Sequence, residues 1–235
     1  MIKENVSSIR QRILRVCSKI NQDAGKITII AVSKGRALEQ IREAIEAGIS
    51  DIGENRVQEA ILKYNNLTPN AQHLTPIKWH MVGHLQANKV KDAVRIFDLI
   101  QSVDSVRLAE EIDKQADKIN KIQDILIEIK TSPEESKFGL KPDEVPGVIK
   151  EIAKLKNINI KGLMTIAPIV DNPEKTRPYF KMLRELYDQI NRVSGIGYRV
   201  STLSMGMTDD FEIALEEGSN MVRLGRAIFE GEKHV

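Results

Sequence analysis

Apolar residues at positions 2, 6, 9, 13, 16, 17 and 20 keep the spacing of one helical face, so the chain opens with a helix, with Gly25 just beyond it. A different rhythm then begins. Ile27–Ser33 (ITIIAVS) is a β-branched apolar run of strand length, and Ala37–Ala47 is a helical stretch stopped by Gly48. The same beat recurs: strand Ile49–Gly53 and helix Glu54–Tyr64, strand Ile77–Val82 and helix Gln86–Val94, strand Phe97–Ser102 and helix Ser105–Ile119. Ile125–Ile129 predicts a fifth strand, with Pro142 opening the helix after it. Ile158–Thr165 predicts a sixth, and Asn172-Pro173 supplies an N-cap and a first-turn proline for a long helix toward Val193. Val200–Ser204 predicts a seventh strand, followed by a helix capped by Thr208 or Asp209 and ending at Gly218. Met221–Leu224 predicts an eighth, followed by a short helix over Arg226–Phe229.

Buried strands alternating with helices imply a parallel sheet covered on both faces. Eight such units suggest closure into a (β/α)8 barrel of TIM type, with the extra N-terminal helix (residues 1–24) plugging or flanking it. An open doubly wound sheet is the alternative, but no GxGxxG follows the first strand. No linker or low-complexity segment divides the chain, so residues 1–235 are expected to form a single domain, with Thr68–Pro76 as a long loop.

Composition narrows the function more than the fold. With 41% apolar and 29% charged residues, the 235-residue chain can build a core and a charged surface. The net charge of +2 is modest, the charges are interleaved as in Glu110–Lys114, and only 4% of residues are aromatic. Nucleic-acid binding is therefore not expected. Cys17 is the single cysteine, which forbids an intramolecular disulfide and favours a reducing compartment; it falls on the apolar face of the first helix and reads as core. Four scattered histidines make no metal-ligand spacing. No apolar run approaches the roughly 20 residues of a membrane span, and the N-terminus lacks a secretory signal's apolar core. A cytoplasmic protein is expected.

In a barrel, chemistry collects where the strands run out at their C-terminal ends. Lys34 stands at the end of an almost wholly apolar strand, on the same face as Val32 and Ile30. A lysine held in an apolar wall would have its pKa lowered, and the free amine attacks an aldehyde to give a Schiff base. The competing reading is a solvated lysine that has just left the strand. Ser204-Met205-Gly206 and Gly225-Arg226 follow the last two strands, where barrels frequently bind phosphate; ordinary turns are the alternative. Alternation turns Arg223 away from Val222 and Leu224, toward either a ligand's ring nitrogen or a barrel carboxylate such as Asp51 or Asp104. Asn55, His80, His84 and Lys137 are weaker candidates. Tyr64, Tyr179, Tyr187 and Tyr198 lie in or beside helices and loops, and none is an evident catalytic base.

These residues lie in motifs that together resemble the pyridoxal phosphate homeostasis family: AVSK (31–34), GENRVQE (53–59), WHMVGHLQANK (79–89), SVDS (102–105), SKFGL (136–140), GLMTIAP (162–168), LSMGMTDDF (203–211) and MVRLGRAIF (221–229). The resemblance runs from about Ile27 to the C-terminus. It implies a barrel similar to the N-terminal domain of alanine racemase and pyridoxal 5'-phosphate held as a Schiff base on Lys34. It implies that Ser204, Gly225 and Arg226 bind the phosphate, with Met205 and Gly206 as weaker candidates. It further implies Arg223 at the pyridine nitrogen, Asn55 beside the cofactor and Lys137 near the ring oxygen. Two positions depart from the family pattern: Arg226 stands where many members have Thr or Ser, and Glu230 replaces a glycine.

The resemblance implies a carrier in intracellular vitamin B6 and amino-acid homeostasis, with apo-enzymes as candidate recipients. Arginine cannot surrender its proton to the ring nitrogen, so the cofactor would be a poor electron sink. The chain ends soon after the eighth strand, so a racemase's second domain is expected to be absent and the protein to be a monomer. The rival reading is a small amino-acid racemase or lyase that borrows a catalytic group.

Overall fold

The computed structural model describes residues 1–67, 76–134, 138–192 and 199–231. Helix α1 (Ile2–Lys19) buries Ile2, Val6, Ile9, Ile13, Val16 and Cys17, the stripe its apolar spacing predicts. Strands and helices then alternate: β1 (Thr28–Val32), α2 (Leu38–Glu46), β2 (Asp51–Glu54), α3 (Val57–Leu67), β3 (Lys78–Met81), α4 (Val90–Ile96), β4 (Leu99–Val103) and α5 (Val106–Asp117). The second half continues with β5 (Gln123–Glu128), α6 (Val145–Ile152), β6 (Ile158–Met164), α7 (Arg177–Arg192), β7 (Thr202–Ser204), α8 (Phe211–Glu216), β8 (Met221–Leu224) and α9 (Arg226–Phe229).

The eight strands close into a barrel in chain order. The seam is made by β8 pairing in parallel with β1, with Thr28 opposite Met221 and Ala31 opposite Leu224. Helix α9 is only four residues long. Helix α1 packs on α2, α8 and α9, so it flanks the barrel over this seam rather than plugging it. Most apolar side chains fill the layer between strands and helices. A second cluster, Ile30, Leu99, Leu126, Met164 and Met221, fills the barrel interior. Gly162 permits the tightest strand contact: a Cβ there would sit 1.9 Å from the Thr202 carbonyl oxygen.

Several boundaries differ from the sequence expectation, each for a local reason. Glu54 ends β2 instead of opening α3, because its carboxyl is fully buried and bonded to Ser33 and Lys63. Helix α6 begins at Val145 with Pro146, not Pro142, in its first turn. Asn172 accepts a hydrogen bond from the Glu174 N–H and opens a 3-10 turn, Pro173–Thr176, that runs into α7. The N-cap of α8 is Asp210, whose carboxylate accepts the Met207 N–H at 2.6 Å. Residues 68–75 of the expected long loop, and Tyr198, lie outside the described residues.

Candidate functional site

Arg223 is the centre of the strand C-terminal end. The outer layer takes its neighbours Val222 and Leu224, and the register sets Arg223 beside Ile30, which faces the interior. Its guanidinium is buried, donating to Ser204 Oγ at 2.6 Å and to the Thr165 carbonyl at 2.7 Å. No ion pair forms with Asp51 or Asp104, the partners suggested by sequence; Ser204 and the Thr165 carbonyl take their place. Burial pulls the Arg223 pKa down to about 10, against the pull of Asp210 and Glu128, so it remains a cation at neutral pH.

A buried relay leads away from it. Ser204 Oγ donates to Gln101 Oε1 at 2.6 Å, Gln101 Nε2 donates to His80 Nδ1 at 3.2 Å, and His80 Nε2 donates to Asp51 Oδ1 at 2.9 Å. Ser50 closes the chain on Asp51 Oδ2. Burial pushes the Asp51 carboxyl up, but the hydrogen bonds from His80 and Ser50, with the charge of Lys78, leave it lowered overall. This relay engages two of the sequence candidates. Ser204, expected on a phosphate, has its hydroxyl engaged on both sides. His80 is 3% exposed and held between Gln101 and Asp51. Gln101, which sequence reasoning missed, is the polar residue alternating with Leu99 on β4 that makes the link.

Glu128 was also missed. It alternates with Leu126 on β5, so it faces the barrel interior at the same end as Arg223. It is 6% exposed, and its carboxyl makes no hydrogen bond or ion pair among the described residues. Burial pushes its pKa up to about 7, Asp104 adds repulsion and Arg223 opposes. An interior-facing acid at a strand end was the available signal.

Lys34 does not sit in an apolar wall. Strand β1 ends at Val32, and Lys34 is exposed in the turn that Gly35 completes at φ +67°. The flanking residues are held firmly. Lys63 Nζ donates to the Ser33 carbonyl, and the Gly35 N–H donates to Glu59 Oε1 at 2.6 Å.

Gly225 neighbours Val32, where a Cβ would lie 3.4 Å from the Val32 carbonyl oxygen, so the Lys34 turn adjoins the start of α9. Thr208 Oγ1 accepts the Ala227 N–H at 3.3 Å and so belongs to the same helix start, not to α8. Arg226 is exposed and paired with Asp209. Met205 is fully buried among core side chains, and a Cβ on Gly206 (φ +94°) would meet Ala214 at 2.6 Å.

Asn55, half-buried, lines a cleft of about 480 Å³ with Arg56, Met81, Gly83, His84 and Lys89. His84 stacks on Phe138 at 3.8 Å and pairs with Asp104 at 3.5 Å. Lys137 lies outside the described residues. No His, Cys, Asp and Glu grouping suited to a metal occurs among the described residues. No helix among the described residues is long and apolar enough to cross a membrane.

A family model described as alanine racemase, N-terminal domain, matches residues 5–233. The pyridoxal phosphate homeostasis protein of Aquifex aeolicus is 39% identical over 231 residues, covering 98% of both chains. That of Escherichia coli is 32% identical, covering 97% of this chain and 95% of its own. Among solved structures, PipY of Synechococcus elongatus with PLP bound matches with a TM-score of 0.85 at 34% identity, covering 97% of this chain and all 100% of that one. An alanine racemase from Clostridium difficile matches at a TM-score of 0.72 and 17% identity, covering 96% of this chain and 60% of that one, a likeness of fold.

Proposed function

The chain belongs to the alanine racemase N-terminal domain family and, within it, to the pyridoxal phosphate homeostasis proteins, and from that premise we propose that it holds pyridoxal 5'-phosphate covalently on Lys34 as a carrier in vitamin B6 homeostasis. One observation carries the reading. The β1–β8 register brings the Lys34 turn, the buried Arg223 and the start of α9 to one end of two neighbouring strands.

The residues present suit the cofactor. Arg223 uses two of its five N–H donors on Ser204 and Thr165, leaving others for an uncharged ring nitrogen. Gly225 starts α9 with no side-chain cap and leaves room on its Cβ side, which suits a phosphate on backbone N–H groups. Thr208 adds a hydroxyl there, and Arg226 a cation once it leaves Asp209. Asn55 is proposed beside the ring and Lys137 near its oxygen. Ser204 is proposed to orient Arg223 rather than to touch phosphate.

When bound, the cofactor would supply an aldehyde carbon with which the Lys34 amine can condense, with loss of one water. The chain's own residues bind and orient. Arg223 keeps its proton, so it does not turn the ring into an electron sink, and catalytic turnover is not part of the proposed role. Apo-enzymes that need the cofactor are the proposed recipients.

The test compares visible absorbance of the native protein with that of Lys34→Ala, followed by borohydride reduction and peptide mass spectrometry. A coloured native protein, a colourless variant and an adduct on Lys34 are expected. An adduct elsewhere, or none, overturns the assignment. Sustained solvent deuterium incorporation at the α-carbon of an added amino acid would overturn the non-catalytic role.

A further inference from the structure

One buried charged cluster has no part in the Arg223 relay. Lys63 of α3 is 6% exposed, and its Nζ spends all three donors: on the Ser33 carbonyl at 2.5 Å, Glu54 Oε1 at 2.6 Å and Glu59 Oε1 at 2.7 Å. Ser33 Oγ donates to the same Glu54 oxygen, and the Gly35 N–H donates to Glu59. Ser33 is therefore tied to β2 and α3 and Gly35 to α3, while Lys34 itself stays exposed.

Packing does not call for this arrangement. Taking an ammonium and a carboxylate out of water is costly, and an apolar pair of similar volume commonly serves a core as well or better. The cluster is not even fully satisfied, because Glu54 Oε2 is buried without a hydrogen-bond partner among the described residues. What the cluster does accomplish is local: it fixes the peptide on each side of one lysine. A turn with a left-handed glycine and an exposed side chain would otherwise be among the looser parts of a barrel.

We propose that Lys63, with Glu54 and Glu59, is a positioning device that clamps the Ser33–Gly35 turn so that the Lys34 amine is presented to the aldehyde of the bound cofactor. The inference rests on the assignment of Lys34 under Proposed function. These three residues touch no reacting atom; they act through the turn.

The experiment measures how fast added pyridoxal 5'-phosphate becomes fixed on Lys34, by timed borohydride quenching and peptide mass spectrometry, with amide exchange at Gly35 as a second readout. The proteins compared are wild type, Glu59→Ala, Glu59→Gln and Lys63→Met, each checked for folding by thermal melting. Glu59 is partly exposed, its side chain at 30%, so its truncation leaves the core intact. Glu59→Ala is expected to slow fixation about tenfold or more and to speed exchange at Gly35. Glu59→Gln keeps an oxygen for the Gly35 N–H and is expected to recover most of the rate, which a merely structural role would not require. If Glu59→Ala traps the cofactor at the wild-type rate while folded, the clamp is refuted, whatever becomes of Lys63→Met. If wild type forms no adduct on Lys34, the assignment of Lys34 fails first and the clamp falls with it.

Discussion

Replacing Glu128 by Gln removes one buried titratable group from the barrel mouth while keeping its shape. In the unfolded chain this carboxyl titrates near 4.5, and in the folded protein burial and Asp104 raise it to about 7. Between those values the folded state holds a proton that the unfolded state has released. Its stabilising contribution is therefore complete below about pH 4.5 and is lost as pH rises through 7. The displacement corresponds to about 3 kcal/mol across that window. Urea unfolding of wild type and Glu128→Gln at intervals from pH 4.5 to 8 isolates it, since other titrating groups cancel in the difference. Relative to the variant, wild type should lose about 3 kcal/mol across the window, with the same dependence on urea. Asp104→Asn should move the midpoint to lower pH by removing the repulsion. Parallel curves for wild type and Glu128→Gln would refute the assignment of a buried neutral acid.

Other perturbations test the supporting structure. Gln101→Leu strands the Ser204 hydroxyl and His80 Nδ1 and is expected to cost about 2–4 kcal/mol in urea unfolding. Gly162→Ala places a Cβ 1.9 Å from the Thr202 carbonyl, so it should lower the melting temperature and speed amide exchange along β6 and β7. Arg226→Ala breaks an exposed pair with Asp209 and should change stability by less than about 1 kcal/mol. The same variant should weaken pyridoxal 5'-phosphate binding in a salt-dependent way if Arg226 turns to the phosphate.

The barrel was legible because each strand is a short apolar run set off by a helix with a one-sided stripe, and all eight predicted strands occur. Cys17 in the core and Arg223 facing inward followed from helical and strand periods alone. The site was less legible. Lys34 was read as the end of an apolar strand, but the strand stops two residues earlier, and a period-two argument cannot see where pairing ends. Ser204 and His80 were assigned by position at strand ends, whereas their hydrogen bonds run sideways to Gln101, a contact between β3, β4 and β7 that local pattern does not encode. Glu54 and Lys63 both fall within the helix expected over Glu54–Tyr64. Their burial depends on α3 starting three residues later than its apolar spacing suggests, which leaves Glu54 inside the sheet.

The relay and the neutral acid answer one physical problem. A guanidinium in a barrel needs acceptors, and a direct ion pair with Glu128 would satisfy it at the expense of donors that a ligand could use. Here Arg223 is held by a hydroxyl and a carbonyl, both uncharged. The donors in the relay run in one direction, from Arg223 through Ser204, Gln101 and His80 to the carboxylate of Asp51, so negative charge is kept at the far end of the chain. Glu128, protonated up to about pH 7, adds no competing anion below that point. Above it, Glu128 becomes an anion near Arg223 and competes for the same N–H groups as an incoming ring nitrogen. Affinity for an uncharged acceptor at Arg223 should then weaken as pH rises through 7, and Glu128→Gln should abolish that dependence. A pH-independent affinity in wild type would mean that Arg223 and Glu128 do not share the ligand's space.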